Sequence, residues 1–116
     1  MGENLLWAVK NGELDEVEKL VSESKHDPND SVKGKLLLVT ASDYGHVAII
    51  EYLISIGANV NQPDNYGITP LLAAIYEEHV EAVKVLLKNG AEKSQQTPDG
   101  RSYFDAANDA IKSLLK

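Results

Sequence analysis

The chain has 116 residues, no cysteine, 43% hydrophobic and 25% charged residues. A domain of this size buries roughly two thirds of its unfolded surface, so one self-supporting core is expected, and disulfide frameworks, thiolate zinc sites and cysteine nucleophiles are excluded. Eighteen acids against eleven basic residues leave a net charge of −7, which disfavours nucleic acid and anionic lipid, because phosphate binding needs concentrated positive charge. Residues 1–31 carry eight of the acids and three lysines; a charged partner is therefore expected to be basic and to meet this part most strongly. No apolar run approaches the roughly 20 residues of a bilayer span. The N-terminus has no basic region ahead of its apolar residues, so no secretory signal is expected. Gly2 does not satisfy an acylation motif, since Leu6 stands where Ser or Thr is required. The expected protein is soluble, monomeric and cytoplasmic, with the nucleus as a second location.

In chain order, a helix is expected to start at about Glu3, with Leu5, Leu6, Ala8, Val17, Leu20 and Val21 as the core of a first helical pair. A second segment, Gly34 to Asn61, carries Leu36-Leu37-Leu38, Ala41, Gly45-His46-Val47, an apolar stripe at Ile49, Ile50 and Leu53, and the ending Gly57-Ala58-Asn59-Val60-Asn61. The third runs through Gly67-Ile68-Thr69-Pro70-Leu71-Leu72-Ala73-Ala74, Glu78-His79-Val80 and Gly90-Ala91. Here Gly67 suits a tight turn, Thr69 can cap a helix, and Pro70 falls at the first helical position, where its missing N–H costs nothing. Val83, Leu86 and Leu87 form a stripe at helical spacing, and Gly90 is placed to end that helix with a left-handed residue. The fourth segment has Gly100 and Phe104-Asp105-Ala106-Ala107, then reaches Leu114-Leu115 five residues early.

These segments repeat. Gly34, Gly67 and Gly100 are 33 apart, as are Gly12 and Gly45, the alanines at 8, 41, 74 and 107, His46 and His79, and Leu20, Leu53 and Leu86. A 33-residue period is that of a turn followed by two antiparallel helices. The residues Asp64-Asn65-Tyr66-Gly67-Ile68-Thr69-Pro70-Leu71-Leu72-Ala73-Ala74 resemble the D-x-x-G-x-T-P-L-H-x-A pattern of the ankyrin-repeat family. The expected fold is an all-α ankyrin-repeat solenoid: one domain over 1–116, in units of about 1–31, 32–64, 65–97 and 98–116, with two full internal repeats between an N-terminal and a C-terminal cap. Two departures stand out. The T-P-L-H histidine is replaced by Val39, Leu72 and Asp105, so a hydrogen bond that the family uses between repeats is expected to be missing. Glu78 occupies the place of Gly12 and Gly45, at an expected cost on the order of 1 kcal/mol if its φ is positive.

No catalytic, cofactor or metal site is expected. His46 and His79 lie a full repeat apart without a cysteine, and their Gly-His place implies, by the resemblance, a role in the turn between the paired helices. The acids Glu13, Asp15, Glu16 and Glu18 suit the N-terminal turn of a helix. Nucleotide-binding glycine loops and the nucleophile elbow are absent from the sequence, so the chain reads as non-enzymatic.

Binding is expected on the concave side. Positions one, four and five beyond the T-P-L-H histidine share a helical face, and the frame places there Trp7, Lys10 and Asn11; Thr40, Asp43 and Tyr44; Ala73, Tyr76 and Glu77; and Ala106, Asp109 and Ala110. Turn tips add Lys33, Asn65, Tyr66, Asp99 and Arg101. Tryptophan and tyrosine supply contact area and the carboxylates select a basic partner; for Trp7, the alternative is that it covers the end of the core. The expected partner-binding set is Trp7, Lys10, Asn11, Asp43, Tyr44, Tyr66, Tyr76 and Glu77. The opening Trp7-Ala8-Val9-Lys10-Asn11-Gly12, the Tyr76-Glu77-Glu78-His79-Val80 segment and the abrupt ending are similar to small ankyrin-repeat inhibitors of actin capping. That resemblance implies binding to the heterodimeric actin capping protein and release of filament barbed ends for growth. The alternative is a general ankyrin adaptor or inhibitor for another basic signalling or transcription-factor partner. The loop Lys25-His26-Asp27-Pro28-Asn29-Asp30 departs from the family's Gly-x-Asp-Val-Asn ending.

Overall fold

A computed structural model describes residues 3–116, with the side chain of Glu3 excepted; Gly2 lies outside the described residues. Eight helices follow one another: α1 Glu3–Lys10, α2 Leu14–Ser24, α3 Leu37–Asp43, α4 Val47–Ser55, α5 Pro70–Tyr76, α6 Val80–Lys88, α7 Tyr103–Ala106 and α8 Asp109–Leu115. They form four antiparallel pairs stacked into an elongated body of 40 × 24 × 21 Å. The odd-numbered helices stack in one layer and the even-numbered in the other. The fold is the all-helical ankyrin solenoid, with no β-strand among the described residues; two isolated bridges, Val32 to Lys35 and Gln96 to Ser102, close turns between units.

The helices begin and end where their residues demand. Thr69 is extended, its Oγ1 accepts the Leu72 amide at 3.2 Å, and Pro70 follows at the first helical position. Ser102 and Asn108 cap α7 and α8 in the same way. Past α6, Gly90 turns left-handed at φ +94° after Asn89. The core runs unbroken through the stack: Leu5, Ala8 and Val17 in the first pair, Leu37, Ala41 and Ile50 in the second, Leu71, Ala74 and Val83 in the third, and Tyr103 and Ile111 in the last. The small residue at 8, 41 and 74 is fully buried each time, where the inner helices approach one another.

The paired histidines differ from expectation. Their imidazoles reach across the boundary to the preceding unit: His46 Nε2 lies 2.8 Å from the Lys10 carbonyl and His79 Nε2 lies 3.0 Å from that of Asp43. A carbonyl oxygen only accepts, so Nε2 carries the proton and donates. Repeats that lack the T-P-L-H histidine are thus still joined by hydrogen bonds. A further bond joins the buried Thr69 Oγ1 to the Tyr103 hydroxyl at 2.8 Å. The unusual 25–30 loop also keeps a bridging role. Asn29 Nδ2 donates to the Gly57 carbonyl at 3.0 Å and its Oδ1 accepts the Asn59 amide at 2.7 Å, as Asn61 does with Gly90 and Glu92 one unit later.

Candidate functional site

Each inner helix of the two middle pairs is seven residues long, about two turns. Their last turns present Asp43 and Tyr44 from α3, and Tyr76 and Glu77 from α5. With Lys10 at the end of α1, Lys35 after the first turn, and Asp64, Tyr66 and Ile68 from the turn before α5, they surround one hollow of about 250 Å³. Val39, Thr40 and Ala73 form its floor. Leu36, Val39 and Ala73 make a small buried cluster of their own, with Ile68 packed on it, so the floor is rigid apolar structure beneath the rings.

Three tyrosines stand open around it: Tyr44 is 46% exposed, Tyr66 68% and Tyr76 40%. Free rings at this density offer large contact area at little cost in side-chain order. The Tyr44 ring lies parallel to the His46 imidazole, with centroids 6.3 Å apart, and the Lys10 ammonium sits 5.9 Å from the Tyr44 centroid. Asp64 is committed to its own turn, its Oδ1 accepting the Tyr66 and Ile68 amides at 2.8 and 3.0 Å. Asp43 and Glu77 are not so committed. Partial burial pushes the Asp43 carboxyl above its ordinary range and the Glu77 charge pushes it further, against the opposing pull of His79 and Lys35. Among the described residues no cation lies within ion-pair distance of either carboxylate.

Of the eight expected contact residues, the hollow gathers Lys10, Asp43, Tyr44, Tyr66, Tyr76 and Glu77. Trp7 is not with them. It is 59% exposed and lines a separate hollow with Asn4, Glu13, Glu16 and Leu20, at the α1–α2 end of the stack. Asn11 also stands apart, its side-chain amide closing the end of α1 on the Trp7 carbonyl at 2.8 Å. The expectation of a single track from Trp7 to Glu77 is corrected on this point: Trp7 stands about 60° from Lys10 around α1 and fronts the hollow at the α1–α2 end. Thr40 and Ala73 share the groove side as expected but are 7% and 2% exposed, floor rather than contact. In the fourth unit the frame fails, because α7 ends at Ala106 and Asp109 and Ala110 open α8 instead. Arg101 pairs with Asp99 at 3.3 Å at its turn tip. Lys35 and Asp64 went unnamed as groove residues in the sequence reading, although the D-x-x-G turn marks Asp64.

Among the described residues no group of three or more His, Asp or Glu side chains could hold a metal ion, and no helix is long and apolar enough to cross a membrane. What the geometry defines is a helical-repeat scaffold with an open, ring-lined, acid-edged groove, a surface for docking rather than enclosure.

Residues 5–97 match the family described as ankyrin repeats in three copies, and the chain belongs to that family. It is, accordingly, a protein–protein interaction module. Similar curated proteins include the mouse RelA-associated inhibitor, 36% identical over 87 residues, and a palmitoyltransferase of Lachancea kluyveri, 34% identical over 83. These alignments take in 75% and 72% of the chain but span only 11% of either relative. A putative ankyrin repeat protein of Rickettsia bellii is 29% identical over 99 residues, 84% of the chain and 36% of that protein.

Proposed function

We propose that the chain acts without catalysis, by docking its concave groove against a basic protein surface, and that the partner is the heterodimeric actin capping protein. The observation that carries this reading is the hollow shared by Tyr44, Tyr66, Tyr76, Asp43 and Glu77, drawn from two adjacent repeats. Rings supply the contact, and carboxylates outside any ion pair with a described residue select positive charge. Capping protein grips acidic filament ends with a basic patch, so an acid-edged groove covering that patch would block capping by occupancy. The chain's segments resemble myotrophin, which acts in this way, over nearly their whole length. A monomer acting in the cytoplasm, with the nucleus as a second location, goes with this reading.

The test is assembly of actin from filament seeds in the presence of capping protein. Saturating amounts of the chain restore barbed-end growth, and Tyr76→Ala restores it only at much higher concentration while its helical circular dichroism is unchanged. Undiminished capping at saturating chain rejects the proposal. A second reading, an adaptor or inhibitor for another basic signalling or transcription-factor partner, draws on the relative whose name ties it to RelA. It uses the same groove and predicts binding to such a factor with capping unaffected.

A further inference from the structure

The groove is acid-edged, yet two lysines line it, Lys35 and Lys10, and of the two it is Lys10 that lies over a ring. Lys10 reaches in from the neighbouring repeat and places its ammonium 5.9 Å from the centroid of the Tyr44 ring, within cation–π range. Its helix end is held there independently of the side chain, since the Lys10 carbonyl is the one that receives the His46 Nε2–H at 2.8 Å. Next to that ring stand Asp43 and Glu77, neither of them in an ion pair with a described residue. At about 250 Å³ the hollow falls below the roughly 300–1,000 Å³ of small-molecule sites, but it accommodates one long side chain. It is open, bounded by tyrosine faces and floored by Val39 and Ala73.

We propose that this hollow receives a single arginine or lysine side chain of the partner, seated over Tyr44 beside Asp43 and Glu77, and that Lys10 is the internal occupant which that side chain displaces. The inference rests on the groove being the surface for a basic protein, and assigns the element it grips. It reverses the role that position and exposure alone suggest for Lys10. As a direct contact, Lys10 would pair with an acid on the partner and its removal would weaken binding. As the resident cation, it competes, and its removal strengthens binding. The Asp43 carboxyl, kept above its ordinary range by burial and by Glu77, is the group an arriving cation relieves. The charged and titratable groups around it are Glu77 and His79 from the third unit, Lys35 and Asp64 from the turns, Lys10 from α1, and Tyr44, Tyr66 and Tyr76.

The experiment measures binding of tetra-arginine and tetra-lysine peptides by calorimetry to the unaltered chain, Lys10→Ala, Lys10→Met, Lys88→Ala and the pair Asp43→Asn with Glu77→Gln. Lys10→Met keeps the aliphatic stem should alanine perturb the helix end. Lys88, exposed at the end of α6 on another face, gives the same change in net charge away from the groove. Both Lys10 variants are expected to bind the peptides about fivefold more tightly, the size of one exposed cation–π contact. Lys88→Ala stays within about twofold, as exposed charges screened by salt do. The doubly neutralised variant loses up to about tenfold, the combined loss of two exposed charge pairings. Lys10 variants that bind equally or more weakly than the unaltered chain overturn the proposal, as does a gain for Lys88→Ala equal to theirs. Capping-protein binding without any peptide binding rejects the cation seat and leaves the groove reading intact. Peptide binding that follows the expected order, without capping-protein binding, upholds the seat and rejects that partner.

Discussion

The Nε2–H of His79 donates to the backbone carbonyl of Asp43 across 3.0 Å, from the start of one outer helix to the end of the inner helix of the preceding unit. The same residue whose carbonyl is held presents its carboxylate to the groove. His46 treats Lys10 identically, so the same kind of contact serves both the stacking of repeats and the shape of the binding face. Gly12 and Gly45 belong to this contact as well. Their φ values are +73° and +71°, and a Cβ at either would lie 2.8 Å from His46 Cε1 or 2.7 Å from His79 Nδ1. The spacing of Gly and His in the sequence is therefore a lock between units, each glycine leaving room for the imidazole of the next.

His79→Ala is accordingly expected to destabilise the fold by about 1–2 kcal/mol, the worth of a part-buried hydrogen bond and the carbonyl left behind. Gly45→Ala costs at least about 1 kcal/mol from its backbone alone, plus the collision with the ring. In the His79→Ala background the collision is gone, so the Gly45→Ala penalty shrinks. Urea unfolding of the four proteins in a double-mutant cycle measures that coupling. Additive penalties would separate the glycine from the histidine.

Glu78 takes the third place in this series and does have a left-handed backbone, φ +60°. No imidazole follows one unit later, because the period there falls on Lys112 in the shortened last repeat. Space is thus available for a side chain, while the backbone strain remains. Glu78→Gly is expected to stabilise by about 1 kcal/mol, read as a higher urea midpoint with an unchanged slope. Glu78→Ala, which keeps the Cβ, gains none of this.

The period, the caps and the core were readable because they depend on local rules. Thr69-Pro70 supplies a cap and a first helical residue side by side, and alanine at 8, 41 and 74 marks close packing. Orientation across unit boundaries was less readable. Nothing in the letters Gly-His tells whether the ring turns inward to its own hairpin or across to Lys10 or Asp43. Trp7 and Lys10 lie one helical turn apart, and the frame treats them as one face. Three residues at about 100° each leave the two side chains about 60° apart around α1, enough to set Trp7 beside Glu13 and Glu16. In the fourth unit, Ala107 leaves the helix at ψ 151° and Asn108 caps a new one, ending the register that would have placed Asp109 at the groove.

The groove acids set stability against binding. Asp43 titrates above its ordinary value of 3.8, chiefly through burial and then through Glu77. A raised value means that the folded chain favours the neutral carboxyl. Its stabilising contribution is full below 3.8 and is lost as pH rises through the folded value. At neutral pH the ionised Asp43 therefore opposes folding. Asp43→Asn is expected to unfold at higher urea than the unaltered chain at pH 7, with the two midpoints converging toward pH 3, while its affinity for the basic partner falls. A midpoint difference independent of pH would show that the asparagine acts through packing instead.

Asn29 offers the sharpest check on how the unusual loop works. Both of its amide atoms are engaged, Nδ2 on the Gly57 carbonyl and Oδ1 on the Asn59 amide, at 3.0 and 2.7 Å. Asn61 makes the equivalent pair with Gly90 and Glu92 at 3.2 and 2.8 Å. These bonds are exposed, so water replaces part of what is lost, and Asn29→Ala is expected to cost about 1 kcal/mol. Asn29→Asp distinguishes the two atoms. It keeps the acceptor for Asn59, loses the donor to Gly57 and sets a carboxylate against a carbonyl oxygen, in a segment already rich in acid. If the bridge works as a donor and acceptor together, aspartate is no better than alanine and improves as salt is raised. If Oδ1 alone matters, aspartate retains the stability of the unaltered chain in urea unfolding at every ionic strength.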